Sequence, residues 1–184
     1  MKNKAKERKS GGKFLFEIFE MMNKPTEFFK KDLSLLRGAI YFISASLIFT
    51  YLTQTLIFYG VISSVIETSF FLSIVINFLS ILAGFGIIAA IIMIFNGLIG
   101  GKDNFQVLSV LLYSISPVLM LEWVPFIFLQ FIMLFWSLAM IMIGIREKEK
   151  FSYRKSLIFP ILFIILLFIL TYISRNYIIL GWFK

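Results

Sequence analysis

The chain has 184 residues, 60% of them hydrophobic and only 15% charged, with a formal net charge of +8. A soluble domain carries about a quarter charged residues, so this composition belongs in lipid rather than in water. The lack of cysteine excludes disulfides, thiolate nucleophiles and Cys metal sites. The lack of histidine removes the commonest general base and metal ligand near neutral pH.

Residues 1–13, "MKNKAKERKSGGK", are polar and basic with nothing spaced to pack, and read as a disordered tail. Residues 14–37 read as amphipathic juxtamembrane helices. In the first, Phe14, Leu15, Ile18, Met21 and Met22 recur at helical spacing with Glu17 and Glu20 opposite, as in a helix lying in the membrane interface. Asn23 and Pro25 interrupt it. The second is expected from Thr26, a possible cap, to about Leu36, presenting Phe28, Phe29, Leu33 and Leu36. The simplest role for both helices is to bind lipid.

From Gly38 onward the chain is almost continuously apolar. A membrane helix needs about 20 such residues, and five spans fit, over about 38–59, 72–98, 105–121, 125–145 and 157–173. The fold class expected is therefore all-α, a polytopic membrane bundle occupying 38–184. A signal peptide does not fit, because the first apolar segment is too long and lacks a small-x-small cleavage end.

Sixteen of the eighteen Lys and Arg residues fall before Gly38, at Lys102 or in "REKEKFSYRK", all on one side of a five-span topology. Only Arg175 and Lys184 fall on the other, and the loops around Glu67 and Glu122 carry no base. The positive-inside rule then puts the N-terminus in the cytoplasm and the C-terminus outside, in a multi-pass protein of the cell membrane. Trp123, Trp182, Tyr59, Tyr172 and Tyr177 fall near the outer boundaries. Because the bases flank apolar runs instead of forming one face of a domain, they point to the bilayer and not to nucleic acid. Within the chain, Gly100, Gly101, Lys102 and Asp103 read as a hydrated cytoplasmic hairpin between the second and third spans.

In the second span, Ser73, Asn77, Ser80 and Gly84 share one helix face, and Gly86 and Ala90 form a small-xxx-small pair nearby. That face is either a packing seam or one wall of a polar path, which Gln54, Asn96 and Gln130 could join. No span has an ionisable group at its centre, where a path for protons or charged solutes normally needs one. Pro117 reads as a kink or hinge, with Tyr113, Ser114 and Ser116 near enough to serve the carbonyl it leaves free. Pro160 reads as a first-turn proline of the last span. No Walker loop, dinucleotide fingerprint or metal-spaced carboxylate set is present. Catalytic, cofactor and metal sites are therefore expected to be none.

Three segments together resemble the Yip1 family of small polytopic membrane proteins, including its prokaryotic members. They are "NKPTEFFKK" with Asn23, Pro25, Phe28 and Phe29; the run with Gly100 or Gly101, Phe105, Leu108, Leu112, Tyr113 and Pro117; and Trp136, Gly144 and Phe151–Ser152. Lys24 between Asn23 and Pro25 departs from the family's Asn-Pro pattern. The resemblance implies a helical membrane module with a cytoplasmic N-terminus. Eukaryotic relatives associate with Rab-type GTPases, but their longer N-terminal region is mostly lacking here, so GTPase binding is carried onto no residue.

The expected function is a non-enzymatic membrane protein that organises the bilayer or partner proteins. Its expected partners are the lipid bilayer and a membrane or cytoplasmic protein or a second copy. A small transporter or channel using the second-span face is the alternative, and a membrane enzyme a third class.

Overall fold

The computed structural model describes the backbone of residues 10–60, 69–121 and 123–181, with side chains in those ranges except 10–15, 18 and 174–181. Glu67, Glu122, Trp182 and Lys184, and the side chains of Phe14, Leu15, Ile18, Arg175 and Tyr177, lie outside the described residues. Among the described residues seven helices run in chain order: α1 Ser10–Asn23, α2 Pro25–Lys30, α3 Leu35–Phe58, α4 Phe70–Leu98, α5 Asn104–Leu121, α6 Ile127–Glu149 and α7 Tyr153–Gly181. The described residues contain no strand. The last five helices are long and apolar enough to cross a membrane, so the chain is an all-α, multi-pass membrane protein.

Local chemistry sets the helix starts. Ser34 and Ser69 cap α3 and α4, their hydroxyls accepting from the N–H of Arg37 and Leu72, each at 3.4 Å. Thr26 is not a cap: α2 begins one residue earlier with Pro25 in its first turn, where a missing N–H costs nothing. Nor does α2 reach Leu36, because the backbone turns extended at Lys31 before α3 starts at Leu35.

The polar flanks lengthen two spans. Residues 146–149 continue α6 by a turn beyond Ile145, and α7 starts at Tyr153. Pro160 therefore lies inside α7, two turns from its start and buried, not in a first turn.

The shortest span, α5, is the centre of the bundle. Val107 and every residue from Ser109 to Leu119 are buried, and α3, α4 and α6 all pack on it. Helix α5 runs on through Pro117, and Ser116 Oγ donates to Leu112 O at 2.6 Å in the preceding turn. The other spans turn large apolar side chains outward, among them Ile40, Phe71, Ile94, Phe135 and Phe168. In water such a surface would aggregate, whereas in a bilayer it faces chains as apolar as itself.

The N-terminal helices depart most from the lipid-only expectation. Phe28 and Phe29 are buried in the same core as α5 and α6, with ring centroids 5.3 Å apart and edge-on. Helix α2 is a wedge packed on α6. A side chain at Gly144 would meet Val110 Cγ1 at 2.5 Å and Phe29 Cδ1 at 3.1 Å, so glycine is what admits the wedge. Helix α1 begins at Ser10, inside the stretch expected to be disordered. Its acidic side also faces the protein and not away from it. Glu17 accepts from Tyr41 Oη at 2.6 Å and from Arg37 Nη1 at 3.1 Å, and Glu20 pairs with Lys31. Met21 is buried, while Phe16 and Phe19 are 68% and 65% exposed.

Replacing Phe29 by Ala should cost about 3–5 kcal/mol, the usual range for deleting a fully buried phenyl ring. Unfolding of the purified protein in mixed micelles by SDS measures this, and Phe16→Ala, at an exposed site, should stay close to wild type.

Candidate functional site

Two places gather polar groups: the end of the bundle that carries α1 and α2, and the half of the membrane span farthest from it. At the first, the hairpin between α4 and α5 is closed by two linked devices. Gly101 N–H donates to Asn96 O at 2.8 Å and Gly100 N–H to Gly97 O at 3.2 Å, the paired bonds of a Schellman ending. Gly100 has φ +87°, a conformation that glycine adopts without strain. Asp103 Oδ1 then accepts from the N–H of Phe105 and Gln106 at 3.0 and 3.1 Å, capping α5.

The second device was not foreseen. Glu149, at the end of α6, is buried, and its carboxylate accepts from the N–H of Lys102 at 2.7 Å and of Asp103 at 3.0 Å. Its Oε1 also accepts from Asn96 Nδ2 at 3.2 Å, and the same nitrogen donates to Asn104 Oδ1 at 3.0 Å. The hairpin is thus more than a hydrated turn. The side chains of Lys102 and Asp103 are exposed as expected, but their backbone is fastened to α6. A charged acceptor roughly doubles the strength of a hydrogen bond, and here one carboxylate serves three donors. Read along the chain, Glu149 is one acid among the charges of "REKEK". Only the extra turn of α6 carries it under the hairpin.

Gly101 is essential to this geometry, since a Cβ there would stand 2.2 Å from Asn96 Oδ1. Phe105 points outward, 71% exposed. Tyr113, by contrast, is buried against Phe28 and Tyr41, with ring centroids at 5.5 Å in each case. Phe28, Phe29, Tyr113 and Gly144 thus meet in one junction, while Asn23 is exposed and Pro25 only starts α2. Pro117 stands apart from that junction, farther along α5. On α7's side, Lys155 Nζ reaches Ile99 O at 3.5 Å and lies 5.6 Å from the Phe151 ring centre, bringing a cation to the C-terminus of α4.

The far half of the bundle holds a cleft of about 760 Å³ between α3, α4, α5 and α7. Asn77, Ser80 and Gly84 line it, and Ser73 does not. Within this chain no helix packs tightly on the face: Asn77 and Ser80 are exposed and a Cβ at Gly84 would meet nothing within 4 Å. Gly86 and Ala90 are likewise exposed. Of the residues that could join a path, Gln54 lines the cleft. Asn96 lies at the opposite end with Glu149, and Gln130 Nε2 donates to Val124 O at 3.4 Å beside the α5–α6 turn. Thr50, Thr53 and Thr171 add hydroxyls, and the described lining residues include no charged one.

These features define a polytopic helical membrane module whose N-terminal wedge belongs to its core. The Yip1 domain family matches residues 19–174, nearly the whole bundle together with α2 and most of the second half of α1. The chain belongs to the Yip1 family. No curated protein and no solved structure gives a match. No group of His, Cys, Asp and Glu among the described residues is placed to hold a metal ion.

Removing the Glu149 carboxylate with Glu149→Ala should expose the amides of Lys102 and Asp103 to exchange and cost on the order of 3 kcal/mol. Gly101→Ala should act through the same link by displacing Asn96. Hydrogen–deuterium exchange over residues 99–104 reads both variants, and protection unchanged from wild type would show that the clamp is unimportant.

Proposed function

We propose that this protein is a non-enzymatic membrane organiser, working through the end of the bundle that carries α1 and α2, which faces the cytoplasm. The observation that carries this reading is how charge divides there. The acids Glu17, Glu20 and Glu149 are occupied inside the fold, on Arg37, Tyr41, Lys31 and backbone N–H groups, while the exposed acids Glu27, Asp32 and Asp103 are fewer than the exposed bases. Lys30, Lys102, Lys150 and Arg154 are exposed. Beside them, Phe16 and Phe19 stand out from α1. A basic surface edged with phenylalanine suits anionic headgroups, with the rings in the acyl boundary, or an acidic partner protein at the membrane.

The positive-inside rule supports the same orientation, because the exposed bases gather at this end. We read the chain as a prokaryotic-type member of the family; in this chain α2 docks on its own bundle. A transporter would use the far cleft. Among the described residues that cleft has no charged lining, and it reaches only to Phe42, Phe85 and Ile88 at its inner end, so the organising role is preferred.

Single cysteines at Lys102, Arg154 and Glu67 test the orientation with an impermeant thiol reagent. Positions 102 and 154 should label from the cytoplasmic side and 67 from the other; 102 and 67 labelling together would break the topology. In reconstituted vesicles containing phosphatidylglycerol, the wild-type protein should alter vesicle shape without tracer flux above protein-free controls. The pair Phe16→Ser and Phe19→Ser should abolish that effect while leaving insertion intact.

A further inference from the structure

We propose that the far cleft is a binding site for a neutral glycerolipid, its acyl chain running toward the middle of the bundle and its uncharged hydroxyl and ester groups held by Gln54 and Asn77. The site stands independently of the organising role.

The cleft is amphipathic along its length. Gln54 lies four residues from the end of α3, about 6 Å from it, and Asn77 seven residues into α4, about 10 Å from its start. Toward the bundle centre the lining becomes Phe42, Phe85, Ile88 and Phe163. A volume of about 760 Å³ falls in the range of small-molecule pockets, which are mostly apolar with a few polar groups that fix orientation.

Gln54 points to an occupant. It is only 7% exposed and lines the cleft, yet its amide has no hydrogen-bond partner among the described residues. Thr53 Oγ1 beside it is buried and also unpartnered. In hydrocarbon an unmet amide is costly, because no water is at hand to serve it. A carboxamide offers two donors and an acceptor, which match an ester carbonyl and a hydroxyl.

The cleft is also open to what surrounds it. Asn77, Ser80 and Ile87 are both lining and exposed, so the molecules at its mouth are lipids. Among the described lining residues there is no Lys or Arg, so none of them would pair with a phosphate. A lipid without a charged headgroup can sink its glycerol below the interface to the level of Gln54, whereas a phospholipid must leave its phosphate in water.

The test uses the full chain in nanodiscs with a diacylglycerol carrying a diazirine in one acyl chain, and the matching phosphatidylglycerol for comparison. After irradiation, mass spectrometry should place diacylglycerol adducts on the cleft-lining residues of α3, α4 and α7. Excess unlabelled dioleoylglycerol should remove them, and the phosphatidylglycerol probe should label the outer apolar faces instead. Gly84→Leu fills the cleft where a Cβ meets nothing, and should cut cleft labelling about tenfold with the melting temperature unchanged. Gln54→Leu should weaken competition by dioleoylglycerol but not capture of a diazirine alkane. Adducts spread over all lipid-facing residues, labelling that dioleoylglycerol does not compete, or crosslinks to a second copy through the cleft would each overturn the proposal. Equal labelling by both lipid probes would overturn the choice of a neutral headgroup.

Discussion

A central helix must be covered on every side, and in this protein that helix is the shortest span. With Val107 and all of Ser109 to Leu119 buried, α5 has almost no face left for lipid. The hydrophobic effect gives no reason to hide an apolar helix from other apolar matter, so α5 holds its neighbours by close packing and by polar contacts at its ends. Gly38 lets α3 come near, since a Cβ there would stand 3.2 Å from Leu112 Cβ and from the Tyr113 ring. Gly144 does the same for α2 against α6. The wedge of α2 completes the cover at one end, where α3, α4 and α6 leave a place beside Tyr113 and Val110 for Phe28 and Phe29.

The end of the bundle that carries the wedge also solves an electrostatic problem. Carboxylates near a membrane surface repel anionic lipid and oppose a basic face. Here Glu17, Glu20 and Glu149 are each drawn inward onto donors that the fold must satisfy in any case, and Asp103, at the surface, caps α5. The more deeply placed acids, Glu17, Glu20 and Glu149, hold the chain together, while most of the exposed charges at this end are bases. The same division explains why a chain with so few charges can have one strongly basic end.

The number and order of the spans were legible in the sequence because hydropathy over about 20 residues is a summed signal, and the structure has the five helices it implied. What failed depended on direction. Both faces of α1 contain apolar residues, so spacing alone did not reveal that Glu17 and Glu20 would turn inward toward Arg37 and Lys31, residues on later segments. The burial of Phe28 and Phe29 depends on Gly144, more than a hundred positions away. Glu149 was hidden among neighbouring charges in a segment that looked like a loop. The polar face of α4 was visible from spacing, but whether it was packed or open depended on how far α3 and α7 stand from it. Asn96 shares its polarity and has an unrelated role at the other end.

The wedge also bears on the order in which the chain is made. Phe28 and Phe29 leave the ribosome before any span, while their binding place needs Gly144 on the fourth. Until α6 is threaded, these rings have no pocket and must wait in the interface, shielded by lipid. Docking of α2 is then a late event that reports completion of the first four spans. A chain stalled before α6 would keep two phenylalanines displayed beside a basic tail, a surface that quality-control factors for membrane proteins could recognise.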